Sequence, residues 1–244
     1  MSTLYIVSTP IGNLEDLTFR ALRVLKGVDL ILCEDTRVTK KLLNHYQIKT
    51  PTLSYYQHSK LKKVEYIIQL LRKGKNLALV SDAGTPGISD PGNKLVNAII
   101  TSPGFVTKIV PIPGPSAVTA AASISGFPMD KFIFMGFPPV KKKRKKFFEE
   151  IVNSKHSVIF YESPYRIIKS LRELELTAKT YNLKPQIPER QRRVKKRVYP
   201  LRLVVCRELT KKFETIYRGK IEEVIKEIEQ GEIKGEFVVI VKGK

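Results

Sequence analysis

Short apolar runs alternate with amphipathic segments along the first half of the chain. Residues 4–7, 30–33 and 77–80 have the length and composition of buried strands. Between such runs, apolar residues recur at spacings of three and four, as in residues 61–72, which is typical of a helix that buries one face. This alternation predicts a mainly parallel sheet covered by helices.

The pattern changes in the second half, where predicted strands outnumber predicted helices. Strands are predicted at residues 132–135, 157–161, 201–206, 213–218 and 236–241. Some of these strands should pair antiparallel, which gives a mixed sheet. We therefore predict an α/β protein of two domains, with an N-terminal α/β domain at residues 1–114, a C-terminal mixed α/β domain at residues 115–244, and the ligand site between them.

Three loops rich in glycine, proline and small residues follow three predicted strands. They comprise residues 8–13, 81–92 and 111–117. Because parallel strands place their carboxyl ends at one edge of a sheet, the three loops should form one composite ligand site. None carries a G-x-G-x-x-G or G-x-x-x-x-G-K-[ST] pattern, which argues against a classical dinucleotide or P-loop site.

Acidic residues lie near the predicted strand ends. They are Glu34, Asp35, Asp82, Asp90, Glu162 and Glu208. Glu34 and Asp35 directly follow the strand at residues 30–33, so at least one of them should lie at the sheet edge. Either residue could instead cap the helix that begins near Thr36. Arg37 could orient a carboxylate or bind a phosphate.

The charge of the chain is unusual for a globular protein. The formal net charge is +21 and the pI is about 9.9. A charge of this size favours a nucleic-acid partner over an anionic membrane surface, and no apolar run is long enough to span a bilayer. Basic residues concentrate at residues 141–146 and in residues 177–202, which we predict to be a flexible surface loop. The candidate phosphate-binding residues are Lys141, Lys142, Lys143, Arg144, Arg192 and Arg193, with simple solvated charge as the alternative.

Cysteine and histidine usage points to a reduced protein without a metal. Cys33 and Cys206 each lie inside an apolar run and lack metal-ligand spacing. We expect them to be reduced core residues of a cytoplasmic protein, with no signal peptide and no zinc site.

Eight segments, in order along nearly the whole chain, resemble the tetrapyrrole methylase superfamily. They are residues 4–14, 34–37, 81–92, 113–117, 136–139, 160–163, 207–211 and 235–237. Within the superfamily, the chain is similar to the branch that 2′-O-methylates a cytidine ribose in the decoding region of 16S rRNA. The chain departs from that branch at His58-Ser59, where the family tends towards His-Asn, and in the long basic segment at residues 177–202, where the family has a short linker.

The resemblance implies a two-domain fold, usually a homodimer, that binds S-adenosylmethionine bent into the cleft between the domains. By the family pattern, the residues that line the cofactor would be Pro10, Ala83, Gly84, Thr85, Ile88, Ser116, Ala117, Glu162 and Leu209. Asp35 matches the acidic group after the second strand and is the first candidate for catalysis, as the general base or as the group that holds the ribose hydroxyl. Arg37 could fix Asp35 or a neighbouring phosphate. The implied partner is small-subunit rRNA within the 30S subunit.

Two other functions remain open from the residues alone. One is methylation of a porphyrin-type macrocycle with the same cofactor, although a small substrate does not need a charge of +21. The other is a non-catalytic RNA-binding or ribosome-assembly protein, which would leave the three loops unexplained.

Tyr55, Tyr56 and His58 could stack on a splayed base or pack in the protein.

Overall fold

The computed structural model describes residues 2–56, 61–104, 106–183 and 200–243. The chain divides into two compact units, Met1–Ser116 and Ala117–Lys244. Each unit contains one five-stranded sheet with helices, which confirms the predicted α/β class. No helix in the described ranges is long and apolar enough to cross a membrane.

The first unit is a parallel sheet in which a helix lies between each strand and the next along the chain. Its elements are β1 Thr3–Val7, α1 Phe19–Gly27, β2 Leu30–Cys33, α2 Thr36–His45, β3 Thr52–Ser54, α3 Leu61–Arg72, β4 Leu77–Leu79, α4 Asn93–Ile100 and β5 Lys108–Ile112. The strand order is β3-β2-β4-β1-β5, and every pairing is parallel. The parallel sheet predicted from the apolar runs is confirmed.

Both faces of this sheet are buried. Ile31 and Cys33 point to a core that includes Leu25 of α1, whereas Leu32 points to a second core that includes Ile67 of α3 and Leu95 of α4. Successive strand residues face opposite sides, so a run of consecutive apolar residues fills both cores. The unit therefore has three layers, with helices on each face of the sheet.

The second unit has a mixed sheet with helices on it. Its elements are α5 Ala117–Ile124, β6 Phe132–Phe134, α6 Arg144–Asn153, β7 Ser157–Glu162, α7 Ile167–Leu183, β8 Arg202–Arg207, β9 Thr215–Lys220, α8 Ile221–Gln230 and β10 Phe237–Val241. The order is β6-β7-β10-β8-β9; β6 pairs parallel with β7, and the other three pairings are antiparallel. The expected antiparallel pairing is confirmed. Phe148 of α6, Leu171 of α7 and Val224 of α8 share one core with the strands.

Helix α7 corrects part of the loop predicted at residues 177–202, because it runs to residue 183. Leu171, Leu174 and Ala178 are buried at spacings of three and four, so the apolar face of the helix continues past residue 174. The first part of the segment predicted as a loop at residues 177–202 is therefore helical. Residues 184–199 lie outside the described residues.

Candidate active site

The first unit brings four loops to the carboxyl edge of its sheet. Loop A, residues 8–13, follows β1; loop B, residues 81–92, follows β4; and loop C, residues 113–116, follows β5. The fourth segment, residues 34–37, follows β2 and enters α2. Because β2, β4, β1 and β5 are consecutive in the sheet, these four segments are neighbours in space.

Hydrogen bonds join loops A, B and C to one another. The backbone groups of Thr9 and Gly84 exchange two hydrogen bonds of 2.9 and 3.0 Å. The hydroxyl oxygens of Ser8 and Thr85 lie 2.8 Å apart, and the Thr85 hydroxyl donates to the carbonyl of Pro115 at 3.3 Å. Thr85 thus ties all three loops together.

Two glycines allow this close approach. Gly84 has a φ of +79°, in the left-handed region that L side chains rarely adopt. A Cβ on Gly114 would lie 3.0 Å from the Cβ of Ser8. A side chain at residue 114 would therefore press loops A and C apart.

Asp35 is held by the residue two positions later. It caps α2: its Oδ1 accepts the backbone N–H of Arg37 at 2.8 Å, and the guanidinium donates to Oδ1 at 3.1 Å and to Oδ2 at 2.7 Å. These hydrogen bonds from Arg37 lower the pKa of Asp35 to about 2. The carboxylate therefore stays ionised and fixed in orientation at neutral pH.

The pKa of Asp82 in loop B is shifted in the opposite direction to that of Asp35. Asp82 Oδ1 accepts the backbone N–H of Asp35 at 3.1 Å, which joins loop B to the end of β2. Burial, together with the charge of Asp35, raises the pKa of Asp82 despite this hydrogen bond. Burial and the charges of Asp82 and Asp35 also raise the pKa of Glu34. The sheet edge thus carries one strongly acidic carboxyl group and two that protonate more readily, a distinction that the sequence does not signal.

The residues proposed to line the cofactor in the first unit differ in exposure. Ala83 and Ile88 are exposed, Thr85 and Ser116 are half-buried, and Pro10 and Gly84 are buried. Loop B therefore offers small and apolar surface beside its buried backbone.

In the second unit, Glu162 ends β7 with a buried carboxylate. Oε1 accepts the Ser163 backbone N–H at 2.9 Å and the Arg166 guanidinium at 2.8 Å, and Oε2 accepts the Ser170 hydroxyl. Because the Glu162 carboxylate is paired with groups of its own unit, a contact with a ligand would be made by the Glu162 backbone. Ala117 begins α5.

Leu209 lies in a strained turn after β8. Its neighbours Glu208 and Thr210 have φ values of +51° and +65°. The Glu208 carboxylate accepts the Glu236 backbone N–H at 2.9 Å, in the space that a Cβ on Gly235 would fill. The hydrogen bond between Glu208 and Glu236 therefore holds the turn around Leu209 in place.

The basic run separates into exposed and buried residues. Lys141, Lys142 and Lys143 are exposed, whereas Arg144 is 7% exposed. The Arg144 guanidinium donates to Glu173 at 2.6 Å, to the Pro139 carbonyl at 3.1 Å and to Ser170 at 2.7 Å. Arg144 thus corrects the phosphate-binding prediction, because its donors are already used inside the protein.

The remaining predicted positions are buried, exposed or outside the described residues. Arg192, Arg193 and His58 lie outside the described residues. Tyr55 is 2% exposed and packs in the core, so it is not placed to stack on a base, whereas Tyr56 is 45% exposed. Within the described ranges, no three His, Cys, Asp or Glu side chains are grouped to hold a metal ion. Both cysteines are free and buried.

Comparison with known proteins gives a family match over most of the chain. Residues 3–225 match the family described as Tetrapyrrole (Corrin/Porphyrin) Methylases. The chain is similar to a protein of Thermotoga maritima named Ribosomal RNA small subunit methyltransferase I, with 43% identity and all of both chains covered. A protein of the same name from Halalkalibacterium halodurans is 44% identical, over 99% of this chain and 76% of the relative.

A solved structure shows the same fold at low sequence identity. The uroporphyrin-III-C-methyltransferase of Thermus thermophilus superposes with a TM-score of 0.61 at 17% identity, covering 98% of this chain and 93% of the other. At this identity the likeness concerns the fold alone.

Proposed function

Because this chain belongs to the tetrapyrrole (corrin/porphyrin) methylase family, we propose that it methylates small-subunit ribosomal RNA. The chain is a methyltransferase that uses S-adenosylmethionine. The observation that carries the RNA substrate is identity above 40% with rRNA methyltransferases over the whole chain, to which the net charge of +21 adds. The proposed acceptor is the 2′-oxygen of a cytidine in the decoding region of 16S rRNA, and the proposed working form is a cytoplasmic homodimer on the 30S subunit.

The described residues fit this cofactor. Exposed Ala83 and Ile88 offer apolar contact next to the buried backbone of Gly84. Pro10, Ala83, Gly84, Thr85, Ile88 and Ser116 would hold the cofactor from the first unit, and Ala117, Glu162 and Leu209 would hold it from the second. When bound, it supplies a methyl group already activated on sulfur.

We assign the orientation of the ribose hydroxyl to Asp35 and Arg37. Since the methyl donor is activated, alignment of the acceptor oxygen supplies most of the acceleration, about 7–11 kcal/mol at most. A carboxylate with a pKa of about 2 accepts a hydrogen bond well but takes a proton poorly. Arg37, which is 87% exposed, holds this carboxylate and can also contact a phosphate of the substrate.

The hydroxyl proton goes to Asp82 in this mechanism. A general base works best when its pKa approaches the working pH, and the pKa of Asp82 is raised whereas that of Asp35 is lowered. The hydrogen bond from the Asp35 backbone to Asp82 Oδ1 keeps the two side chains on neighbouring segments. Asp35 thus holds the hydroxyl while Asp82 removes its proton.

Porphyrin methylation is the second candidate function, and the match to the family described as Tetrapyrrole (Corrin/Porphyrin) Methylases favours it. The net charge of +21 argues against porphyrin methylation, because a small anionic substrate needs only a local basic site.

The deciding experiment is methyl transfer from labelled S-adenosylmethionine to small ribosomal subunits that lack the modification. We expect label in an alkali-resistant dinucleotide, because a 2′-O-methyl group blocks hydrolysis at that position. Naked 16S rRNA and uroporphyrinogen III are tested in parallel. Label only in uroporphyrinogen would overturn the RNA proposal in favour of the second candidate, and label in alkali-sensitive RNA would overturn the 2′-oxygen as acceptor.

A further inference from the structure

Two aromatic side chains of the second unit are exposed on loops that the structure fixes in place. Phe137 is 52% exposed in the turn between β6 and α6, and Tyr165 is 95% exposed in the turn between β7 and α7. Single exposed apolar residues are common on protein surfaces. These two are unusual because the half-buried Arg166 and the buried Arg144 hold the loops that carry them.

Arg166 connects the two turns directly. Its guanidinium donates to the carbonyl of Pro138 at 3.3 Å and pairs with Glu162 Oε1 at 2.8 Å. Phe137 precedes Pro138 and Tyr165 precedes Arg166, so each aromatic residue is adjacent in sequence to one end of this hydrogen bond. The backbones of the two turns are therefore held together.

Arg144 fixes the same turn from the other side. It donates to the carbonyl of Pro139 and to Ser170, and the Ser170 hydroxyl donates in turn to Glu162. Pro138 and Pro139 have no N–H, so they can form backbone hydrogen bonds only through their carbonyls. The arginines donate to these two carbonyls and thereby hold the turn. Arg144, Arg166 and Glu162 thus form a charged cluster, the Glu162 cluster, that holds the turn carrying Phe137.

Positive charge continues directly from this turn. Lys141, Lys142 and Lys143 are exposed and follow Val140, which is 69% exposed. Lys143 has a φ of +66°, a conformation that the start of α6 fixes. Exposed aromatic rings and exposed lysines are the two components with which proteins bind single-stranded nucleic acid: the rings stack on bases and the lysines contact phosphates.

We propose that Phe137 and Tyr165 form a stacking platform for unpaired bases of single-stranded RNA, with Lys141, Lys142 and Lys143 on the flanking phosphates. This inference deepens the proposed function and rests on it. The Glu162 cluster orders the platform before RNA arrives, so little conformational entropy is lost on binding. Stacking tolerates any base, so the platform would bind the strand around the target nucleotide without sequence specificity.

The test measures the affinity of the full chain for a labelled single-stranded RNA oligonucleotide by fluorescence anisotropy at several salt concentrations. We expect Phe137→Ala and Tyr165→Ala each to weaken binding by about 5- to 100-fold, with an unchanged slope of log affinity against log salt. Tyr165→Phe keeps the ring and should bind like the wild type. Phe19→Ala is the matched control, because Phe19 is 93% exposed on α1 of the first unit and should not affect binding.

Three results would overturn the platform. Equal affinity of the two alanine variants and the wild type would place the RNA elsewhere, while methylation of subunits by the wild type would still support the proposed function. An alanine variant with a reduced salt slope would mean that phosphate contacts, not stacking, had been lost. A change from dimer to monomer in sedimentation, without a loss of RNA affinity, would assign the two aromatics to contact with a second copy of the chain.

Discussion

The two units each contain an arginine–carboxylate pair, and the two pairs differ in almost every physical respect. The Asp35–Arg37 pair lies at the surface, with side-chain exposures of 28% and 87%. Glu162 is 0% exposed and faces two arginines, one at 2.8 Å and one at 4.0 Å. An exposed pair adds little to stability, whereas breaking a buried pair leaves a charge without compensation. The first pair is therefore suited to chemistry and the second to holding the fold.

The sharpest way to test the chemical side of this comparison is to remove each carboxylate of the first unit in turn. We expect Asp82→Asn to lower kcat by about 10²- to 10⁴-fold, because the proton acceptor is lost. Asp35→Asn should lower kcat by about 10²-fold through misalignment of the hydroxyl. Both variants should keep the wild-type affinity for S-adenosylmethionine, measured by calorimetry.

The pH profile separates the two roles. The base must be ionised, so wild-type kcat should fall as the pH decreases through the pKa of Asp82, which lies above its ordinary value. Asp35→Asn should keep this acid limb, and Asp82→Asn should lose it. An acid limb that persisted in Asp82→Asn would assign the proton to another group, with Glu34 as the next candidate because its pKa is also raised.

The structural side of the comparison predicts a large loss of stability from Arg144→Met. The variant leaves Glu162 with one arginine and removes the donor to Pro139 and Glu173, so we expect the free energy of unfolding to fall by about 3 kcal/mol. Lys145→Met, one residue further on an exposed side chain, should change it by less than about 0.5 kcal/mol. Urea unfolding followed by circular dichroism measures both. A loss below about 1 kcal/mol for Arg144→Met would show that Arg166 alone compensates Glu162.

The smallest effect is expected where charge is fully exposed. Lys141→Ala should reduce the slope of log RNA affinity against log salt by about 0.7–0.9, as expected for one lost phosphate contact, and leave stability unchanged. Glu149→Gln on α6, the helix that follows Lys141, is the matched control, since it removes a charge that repels phosphate and should not reduce the slope. An unchanged slope in Lys141→Ala would remove this lysine from the RNA-binding surface.

Sequence reasoning succeeded where the determining contacts are local. The strands and most helices follow from residues within one window. Asp35 as a helix cap and Arg37 as the group that orients a carboxylate are expectations about residues two positions apart, and the structure has both. Arg144 shows the limit. Nothing in a run of six basic residues marks one as buried, because its partners Ser170 and Glu173 lie 26 and 29 residues away. The contrast between Asp35 and Asp82 is hidden for the same reason, since their 47-residue separation closes only when β2 and β4 pair.

The position of β1 in its sheet also constrains how the chain can fold while it is being synthesised. β1 precedes the other strands of its sheet in the sequence, yet it lies between β4 and β5, and its register with β5 pairs Val7 with Ile112. At cellular elongation rates, the partner strand emerges on the order of ten seconds after β1. During that interval β1, an interior strand of the sheet, lacks at least one of its two neighbours. The nascent chain therefore carries an apolar strand that needs shielding from other chains until residue 112 has been made.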